Sequence, residues 1–306
     1  MSEAIDIEGV RITNPDRVLY PEMGLTKRDL IDYYGAVAEQ MMPHLADRPV
    51  SLVRCPQGRQ RQCFFQKHAT DGMPAAFAVA AIREASGELS DYLAIDSFEG
   101  VIAGVQVGTL EFHIWGSRRK AIEKPDRLVF DLDPDPALNF AAVRQAAVEM
   151  RDFLADLGIE SFALVTGGKG IHVVAPLAAR REWPDVKRFA HGVAVTLAER
   201  APERYVATAS KARRRGRIFI DYLRNERGAT AIAPYSTRAR AGAPVATPVS
   251  WDELEHIERA NAFSTDAVRD RIRRQKRDPW DGYDAVLQSL TERMLKRMER
   301  DRAAGA

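Results

Sequence analysis

The chain has 306 residues, 45% apolar and 29% charged, a composition ordinary for a folded globular protein and one that excludes disorder. With 45 lysines and arginines against 43 aspartates and glutamates the net charge is +2, so any nucleic acid must be met by clustered cations rather than bulk charge. No run approaches the roughly 18 apolar residues of a membrane span, and the N-terminus lacks a basic and apolar signal segment. The sequence therefore predicts a soluble, intracellular protein with no membrane partner. That length suffices for one large domain or two intimate lobes. The densest basic cluster is Lys211 with Arg213-Arg214-Arg215 and Arg217. Arg118-Arg119-Lys120 and the stretch from Arg271 to Arg277 follow it. The two cysteines, Cys55 and Cys63, lack a second pair for a zinc site, and an intracellular setting argues against a disulfide.

A short alternating stretch opens the chain. Thr13-Asn14-Pro15-Asp16-Arg17 then reads as a turn before Val18-Leu19-Tyr20-Pro21. Thr26 is an N-cap for a helix whose Leu30, Tyr33, Tyr34, Val37 and Met41 share a buried face, with Pro43 as its stop. Lys27 falls in the first turn, where the helix dipole disfavours a cation, so it is either a solvated lysine or the receiver of an anion. Pro49 to Arg54 reads as a strand. In Cys63-Phe64-Phe65-Gln66-Lys67-His68 two adjacent aromatics cannot both face a core from a strand, so either a loop buries both or one is a stacking platform for a base. Short β-type runs fill residues 76 to 114. In the last, Val105 to Trp115, Glu111 and His113 share one face and Leu110, Phe112 and Ile114 the other.

The centre of the chain is Leu128-Val129-Phe130-Asp131-Leu132-Asp133-Pro134-Asp135-Pro136. As a strand it points Leu128, Phe130 and Leu132 to one side and Val129, Asp131 and Asp133 to the other. Two carboxylates on one surface suit a hard divalent cation with substrate phosphates, and a strand running out into an Asp-Pro turn is the plain alternative. A helix over about residues 138 to 157 follows, ended by Gly158. Strands Ser161–Thr166 and Ile171–Ala175 flank Gly167-Gly168-Lys169-Gly170, and the strand, helix, strand order fits a crossover onto one sheet. The glycine loop is either a plain hairpin or an oxyanion cradle with Lys169 and His172. It is not a Walker loop, whose spacing and following helix are both missing. A helix over about 184 to 200 leads through the basic loop to Ile218-Phe219-Ile220-Asp221-Tyr222-Leu223, where Asp221 is a natural third carboxylate. After Pro248 come a short helix from Trp251 to Ala260, one capped by Ser264 through Ile272, and an amphipathic helix from Tyr283 to Arg300.

Taken together, Asp-x-Asp on one strand, Gly-Gly-Lys-Gly-x-His on the next hairpin and an aspartate in a later apolar strand resemble the archaeal and eukaryotic-type primase superfamily. Within it the chain is similar to the polymerase domains of bacterial ATP-dependent DNA ligase D, through Asn14-Pro15-Asp16-Arg17, Leu25-Thr26-Lys27, Phe64 to His68, Glu111-Phe112-His113, Ala233-Pro234-Tyr235-Ser236 and Arg238. The resemblance implies a mixed α+β fold in one primase-polymerase domain. An N-terminal α/β lobe would cover about 1 to 125, an RRM-like catalytic core 126 to 245, and packed C-terminal helices 246 to 306. It implies that Asp131, Asp133 and Asp221 hold two metal ions, Mn²⁺ or Mg²⁺. Thr166, Lys169, His172 and Arg238 would contact the incoming ribo- or deoxyribonucleoside triphosphate, with His113 near its sugar. Arg214 would reach into the active site. Arg17 and Lys27 would receive the 5′ phosphate of a DNA gap, break or overhang, and Phe64 and Phe65 would stack beside it. The implied activity is template-directed nucleotide addition favouring ribonucleotides in non-homologous end joining, with the Ku end-binding protein and an ATP-dependent ligase module as partners, in the cytoplasm at the nucleoid.

Two positions depart from the family pattern. Arg17 stands where lysine is frequent, and Thr166 where serine is usual; charge and hydroxyl survive. No ligase nucleotidyl-transfer motif or nuclease histidine cluster is present, which suits a stand-alone polymerase or one domain of a larger protein. Two other classes fit parts of the pattern. A haloacid-dehalogenase-type phosphohydrolase also opens with an apolar strand and Asp-x-Asp, but Asp135 stands where that class carries Thr or Val. A non-catalytic end-binding module would use the carboxylates only to fold.

Overall fold

The structure is a computed structural model and describes residues 4–84 and 86–304, the side chains beyond residue 299 excepted. It is mixed α and β, as expected. The chain forms two compact units with interleaved segments. The first is made of Met1–Trp115, Ile232–Thr247 and Phe263–Asp278; the second takes Gly116–Ala231, Pro248–Ala262 and Pro279–Ala306. The C-terminal helices are thus shared out between the units. Among the described residues no helix is long and apolar enough to cross a membrane.

In the first unit the central sheet runs in the order Thr230–Ile232, Thr109–Trp115, Arg48–Arg54, Leu89–Ile95, Ala78–Arg83, and Phe64–Gln66 also pairs with Arg48–Arg54. Thr26 caps the helix Lys27–Leu45 through a reciprocal capping box with Asp29. Pro43 does not stop that helix. It sits inside the last turn, where few bonds remain to lose, and the helix ends at Leu45. Residues Phe98–Gln106 form a helix where β-type runs were expected. Gly100 to Val105 are all buried, and a short helix that is apolar all round has no polar face to reveal its period. The strand that follows covers only Thr109–Trp115, with Leu110, Phe112 and Ile114 in the core.

In the second unit the sheet order is Tyr205–Val206, Ile218–Asp221, Arg127–Pro134, Ile171–Pro176, Phe162–Val165, Thr247–Val249. Arg127–Pro134 and Phe162–Val165 both run antiparallel to Ile171–Pro176, which lies between them. The helix Phe140–Asp156 therefore carries the chain over one intervening strand. With the helix Trp183–Arg200 before the strand Ile218–Asp221, the succession is βαββαβ, and the four long strands stand in the spatial order four, one, three, two. That is the ferredoxin-like arrangement implied for the core. Asn139 caps the first helix and Gly158, at φ +78°, follows its end. Leu128, Phe130 and Leu132 are fully buried while Asp131 and Asp133 keep some exposure, as alternation requires.

Near the C-terminus the structure shortens two expected helices. Trp251–Leu254 is a single turn, and the last helix begins at Glu292 rather than Tyr283. The segment before it holds only a 3-10 turn over Tyr283–Ala285, and Gln288 serves backbone groups elsewhere: its side chain bonds Glu160 N, Glu160 O and Pro176 O, and its carbonyl accepts from Ala178 N at 2.6 Å. Leu287, within the expected amphipathic helix, is 88% exposed.

Candidate active site

The carboxylates of the second unit are brought together by strand register. Asp221 is the cross-strand partner of Asp131, and Asp131 is in turn the partner of His172 on its other side. Directly opposed residues share a face, so Asp221, Asp131 and His172 form a row across three strands. His172 Nε2 lies 3.4 Å from Asp131 Oδ1. Asp133, two residues along, stands opposite Phe219. All three aspartates thus open on one side of the sheet.

Such a row of like charges requires cations, and two arginines supply them. Arg224 Nη2 lies 3.1 Å from Asp221 Oδ2 and 3.3 Å from Asp131 Oδ2. Arg214 crosses the Phe219 ring, its guanidinium carbon 3.8 Å from the centroid, and Nη1 donates to Asp133 Oδ2 at 3.1 Å. Burial, with repulsion from Asp131, raises the Asp133 carboxyl above its ordinary range against the pull of Arg214 and Lys169. Burial raises Asp221 too, opposed by Arg224 and by the Leu223 amide that donates to it. Arg224 was not singled out from the sequence. Its signal is the three-residue spacing from Asp221, which a single turn over Leu223–Asn225 converts into contact. That turn also places the buried Asn225, whose side chain bonds Val129 N at 2.8 Å and Val129 O at 2.7 Å, pairing the strand edge just past the end of its partner.

The hairpin after Val165 packs close to this row. A Cβ on Gly170 would stand 2.2 Å from Leu132 O, so only glycine lets the hairpin approach, and Gly167 adopts φ +67°. The buried Thr166 hydroxyl donates to Gly170 O at 2.9 Å and accepts from Gly168 N at 3.3 Å. It braces the loop from inside. Lys169 projects to solvent beside Asp133.

A hard-cation site needs oxygen donors, and the three aspartates provide them on one surface. Among the described residues no three His, Cys, Asp or Glu side chains converge closely enough to hold an ion by themselves. The oxygen donors suit Mg²⁺ or Mn²⁺, whereas the buried Arg214 Nε and Arg224 Nε, N–H donors without hydrogen-bond partners, suit an anion such as a phosphate.

Other residues singled out from the sequence lie in the first unit. Glu111 Oε2 accepts from His113 Nε2 at 2.8 Å and pairs with Arg238 Nε at 3.1 Å, while Oε1 accepts from Ala239 N at 2.8 Å. Burial alone would raise this carboxyl, but His113, Arg238 and the amide outweigh it and hold it at about 2. The chain reaches this point because Ser236 Oγ accepts from Phe112 N at 2.9 Å and the Thr237 hydroxyl donates to Leu110 O at 2.6 Å. Tyr235, at φ +66°, turns the backbone there, and its OH donates to Asp278 at 2.7 Å. Phe64 and Phe65 are 42% and 71% exposed, so neither enters the core. Arg54 lies over Phe64, and the Phe65 ring centroid is 5.8 Å from that of His113.

Lys27 is neither solvated nor open. It is 4% exposed, and Nζ donates to Thr13 O at 2.7 Å, Gln106 Oε1 at 3.0 Å and Gln106 O at 3.1 Å. Burial, helped by nearby Arg17, lowers its amine to about 8. Arg17 is exposed and donates to Pro56 O at 3.0 Å. Cys55 and Cys63 are joined by a disulfide, contrary to the expectation from compartment, and it ties the end of one strand to the start of the strand carrying the two phenylalanines. A residue count carried no sign of that proximity: Arg54 pairs with Phe64, so the two cysteines face each other across the mouth of the hairpin.

Residues 26–280 match the LigD primase-polymerase domain family. The chain belongs to this family. It is 38% identical over 297 residues to the multifunctional non-homologous end joining protein LigD of Pseudomonas aeruginosa, covering 95% of this chain and 35% of that protein. The LigD of Mycolicibacterium smegmatis is 36% identical, with 87% and 35% covered. The chain thus spans about a third of the length of these LigD proteins. Among solved structures it is similar to the polymerase domain from Mycobacterium tuberculosis ligase D in complex with DNA, at TM-score 0.83 and 34% identity, covering 90% of this chain and 98% of that one. Membership of the LigD family decides against the phosphohydrolase reading of the Asp-x-Asp strand.

Proposed function

We propose that the chain is a template-directed nucleotidyltransferase that fills gaps and extends ends of broken DNA during bacterial non-homologous end joining, with a preference for ribonucleotides. The observation that carries this reading is the cross-strand row Asp221, Asp131 and His172, with Asp133 on the same face and the Gly167–Gly170 hairpin beside it. Asp131, Asp133 and Asp221 would hold two divalent ions, Mn²⁺ or Mg²⁺, whose Lewis acidity stabilises charge at the α-phosphate. His172, buried against Asp131, orients that carboxylate. Lys169 and the hairpin amides contact the triphosphate, and Thr166 keeps the hairpin in shape. Arg214 sets the position and charge of Asp133. In the first unit Glu111 fixes His113 toward the nucleotide sugar and Arg238 toward its phosphates. Exposed Phe64 and Phe65 stack on bases at the break. The 5′ phosphate falls to Arg17, and to Lys27 where it exchanges one of its present acceptors. DNA with a 5′-phosphorylated gap or overhang, Ku and a ligase module are the proposed partners.

The test is primer extension on a gapped duplex with each nucleotide type and each metal ion. The parent should add nucleotides only with a divalent ion, ribonucleotides in preference. Asp131→Asn and Asp221→Asn should abolish addition while gap binding persists. Substantial extension by either variant would remove the carboxylates from the reaction.

A further inference from the structure

One residue beyond Asp133 the second unit opens into a pocket of about 250 Å³ that shares only Gly168 and Lys169 with the proposed triphosphate contacts. Its lining combines the apolar Pro136, Leu138 and Phe140 with the cations Lys169 and Arg259. Both cations are exposed, and neither has an ion-pair partner among the described residues. The one carboxylate in the lining, Asp135, accepts from Ala137 N at 3.0 Å and so holds its own turn.

The chemistry of this lining selects its ligand. A metal ion is excluded, since two cations face one carboxylate. Inorganic phosphate or pyrophosphate would satisfy Lys169 and Arg259 but gain nothing from Phe140 and Leu138. A purely apolar ligand would leave both cations unused. A nucleotide unit offers both parts, a planar base for the apolar residues and a phosphate for the cations. The place is also suited. The strand that forms the mouth of the pocket is the one carrying Asp131 and Asp133, and the Lys169 hairpin leads directly to His172.

We propose that this pocket is a subsite for one unpaired nucleotide of a DNA strand passing the reaction centre, with the base against Phe140 and Leu138 and a phosphate held by Arg259. The proposal rests on the polymerase reading for its setting, but its test does not need catalysis. Binding of a short fluorescein-labelled oligothymidylate is measured by anisotropy without nucleotide and with EDTA present. Arg259→Glu should weaken binding about tenfold, and Arg259→Gln several-fold. Either should also lower the slope of log affinity against log salt by about 0.7, the contribution of one single-strand phosphate. Phe140→Ala should weaken binding with the salt slope unchanged; a melting curve accompanies each variant. KM for the nucleoside triphosphate in primer extension should stay as in the parent for Arg259→Gln. A raised KM with unchanged oligonucleotide affinity would assign the pocket to the incoming nucleotide and overturn the proposal. So would Arg259 variants that change neither. Failure of the parent to extend any primer would refute the polymerase reading, while the anisotropy result would still decide the subsite.

Discussion

Glu111→Gln is the substitution whose effect the structure sets most directly. The carboxylate is buried between His113 and Arg238 and accepts a third hydrogen bond from the Ala239 amide. Its carboxyl lies at about 2 in the folded chain against an ordinary 4.5. At about 1.4 kcal/mol for each pH unit, that difference corresponds to about 3 kcal/mol of stability near neutral pH. The folded value is the lower one, so the contribution is complete above about pH 4.5 and disappears as the pH falls toward 2. Glutamine keeps the volume and an acceptor for Ala239, but Arg238 loses this charged partner. Urea unfolding at pH 7 should therefore show the variant less stable by about 2 to 3 kcal/mol, within the range for breaking a buried pair. Repeated at falling pH, the gap between parent and variant should close, because the parent loses the same charge. Equal midpoints at pH 7, or a gap of constant size from pH 5 to pH 2, would refute the reasoning.

In Lys27 it is the charged form that burial disfavours, and the slope with pH has the same sign. Its amine is at about 8 when folded, below the ordinary 10.5, so between those values the unfolded chain binds the proton and the folded chain does not. Stability relative to Lys27→Met should rise from pH 8 to pH 10, and a flat difference would mean that the amine is not desolvated. Phe64→Ala with Phe65→Ala should leave the melting transition in place, since both side chains are exposed, and weaken gap binding by about 1 to 3 kcal/mol for each base that stacks; loss of cooperative melting would make them structural. Reducing the Cys55–Cys63 bridge, which spans 8 positions in sequence, should lower stability by no more than about 3 kcal/mol on loop-closure grounds. Thiol titration of the unfolded, unreduced chain should find no free cysteine, and two free thiols would contradict the pairing.

The sequence was most legible where one residue's neighbours along the chain determine its state. Alternation sorted Leu128, Phe130 and Leu132 from Asp131 and Asp133 without error, and Thr26 and Ser264 marked helix starts that the structure keeps. The cost of a lone aspartate in an apolar strand, and then the family resemblance, brought Asp221 to Asp131 from 90 positions away, and cross-strand pairing places them opposite one another. What escaped notice depended on contacts with no local trace. The helix Phe98–Gln106 hid behind uniform burial, Gln288 served backbone groups elsewhere, and Lys27 was enclosed by Thr13 and by Gln106 from a distant helix. Arg224 is the intermediate case: its spacing from Asp221 was readable, but only the turn after the strand makes it a contact.

The energetics of the aspartate row support the proposal that this face serves chemistry rather than folding. Asp221 is 8% exposed, and burial raises its carboxyl despite Arg224 and the Leu223 amide. Its charge is therefore less comfortable in the folded chain than in water, and the arginine only partly offsets the loss of hydration. The same holds for Asp133 beside Arg214. Apolar residues of similar volume at these positions would pack on a sheet whose opposite face, Leu128, Phe130 and Leu132, is already fully buried. They would be neutral or stabilising, since replacing buried ion pairs by hydrophobic contacts is often so. Nothing in the packing of the second unit requires three carboxylates on one surface. Each arginine, moreover, approaches from the turn or loop beside a strand rather than from the sheet itself: Arg224 follows Asp221, and Arg214 lies in the basic loop before it. Cations on such segments can be exchanged for others without rebuilding the sheet, whereas the register that aligns Asp221 with Asp131 cannot change by one residue without turning one of them to the other face. The arrangement fixes the anions and leaves their partners replaceable, as the proposed uptake of divalent ions would require.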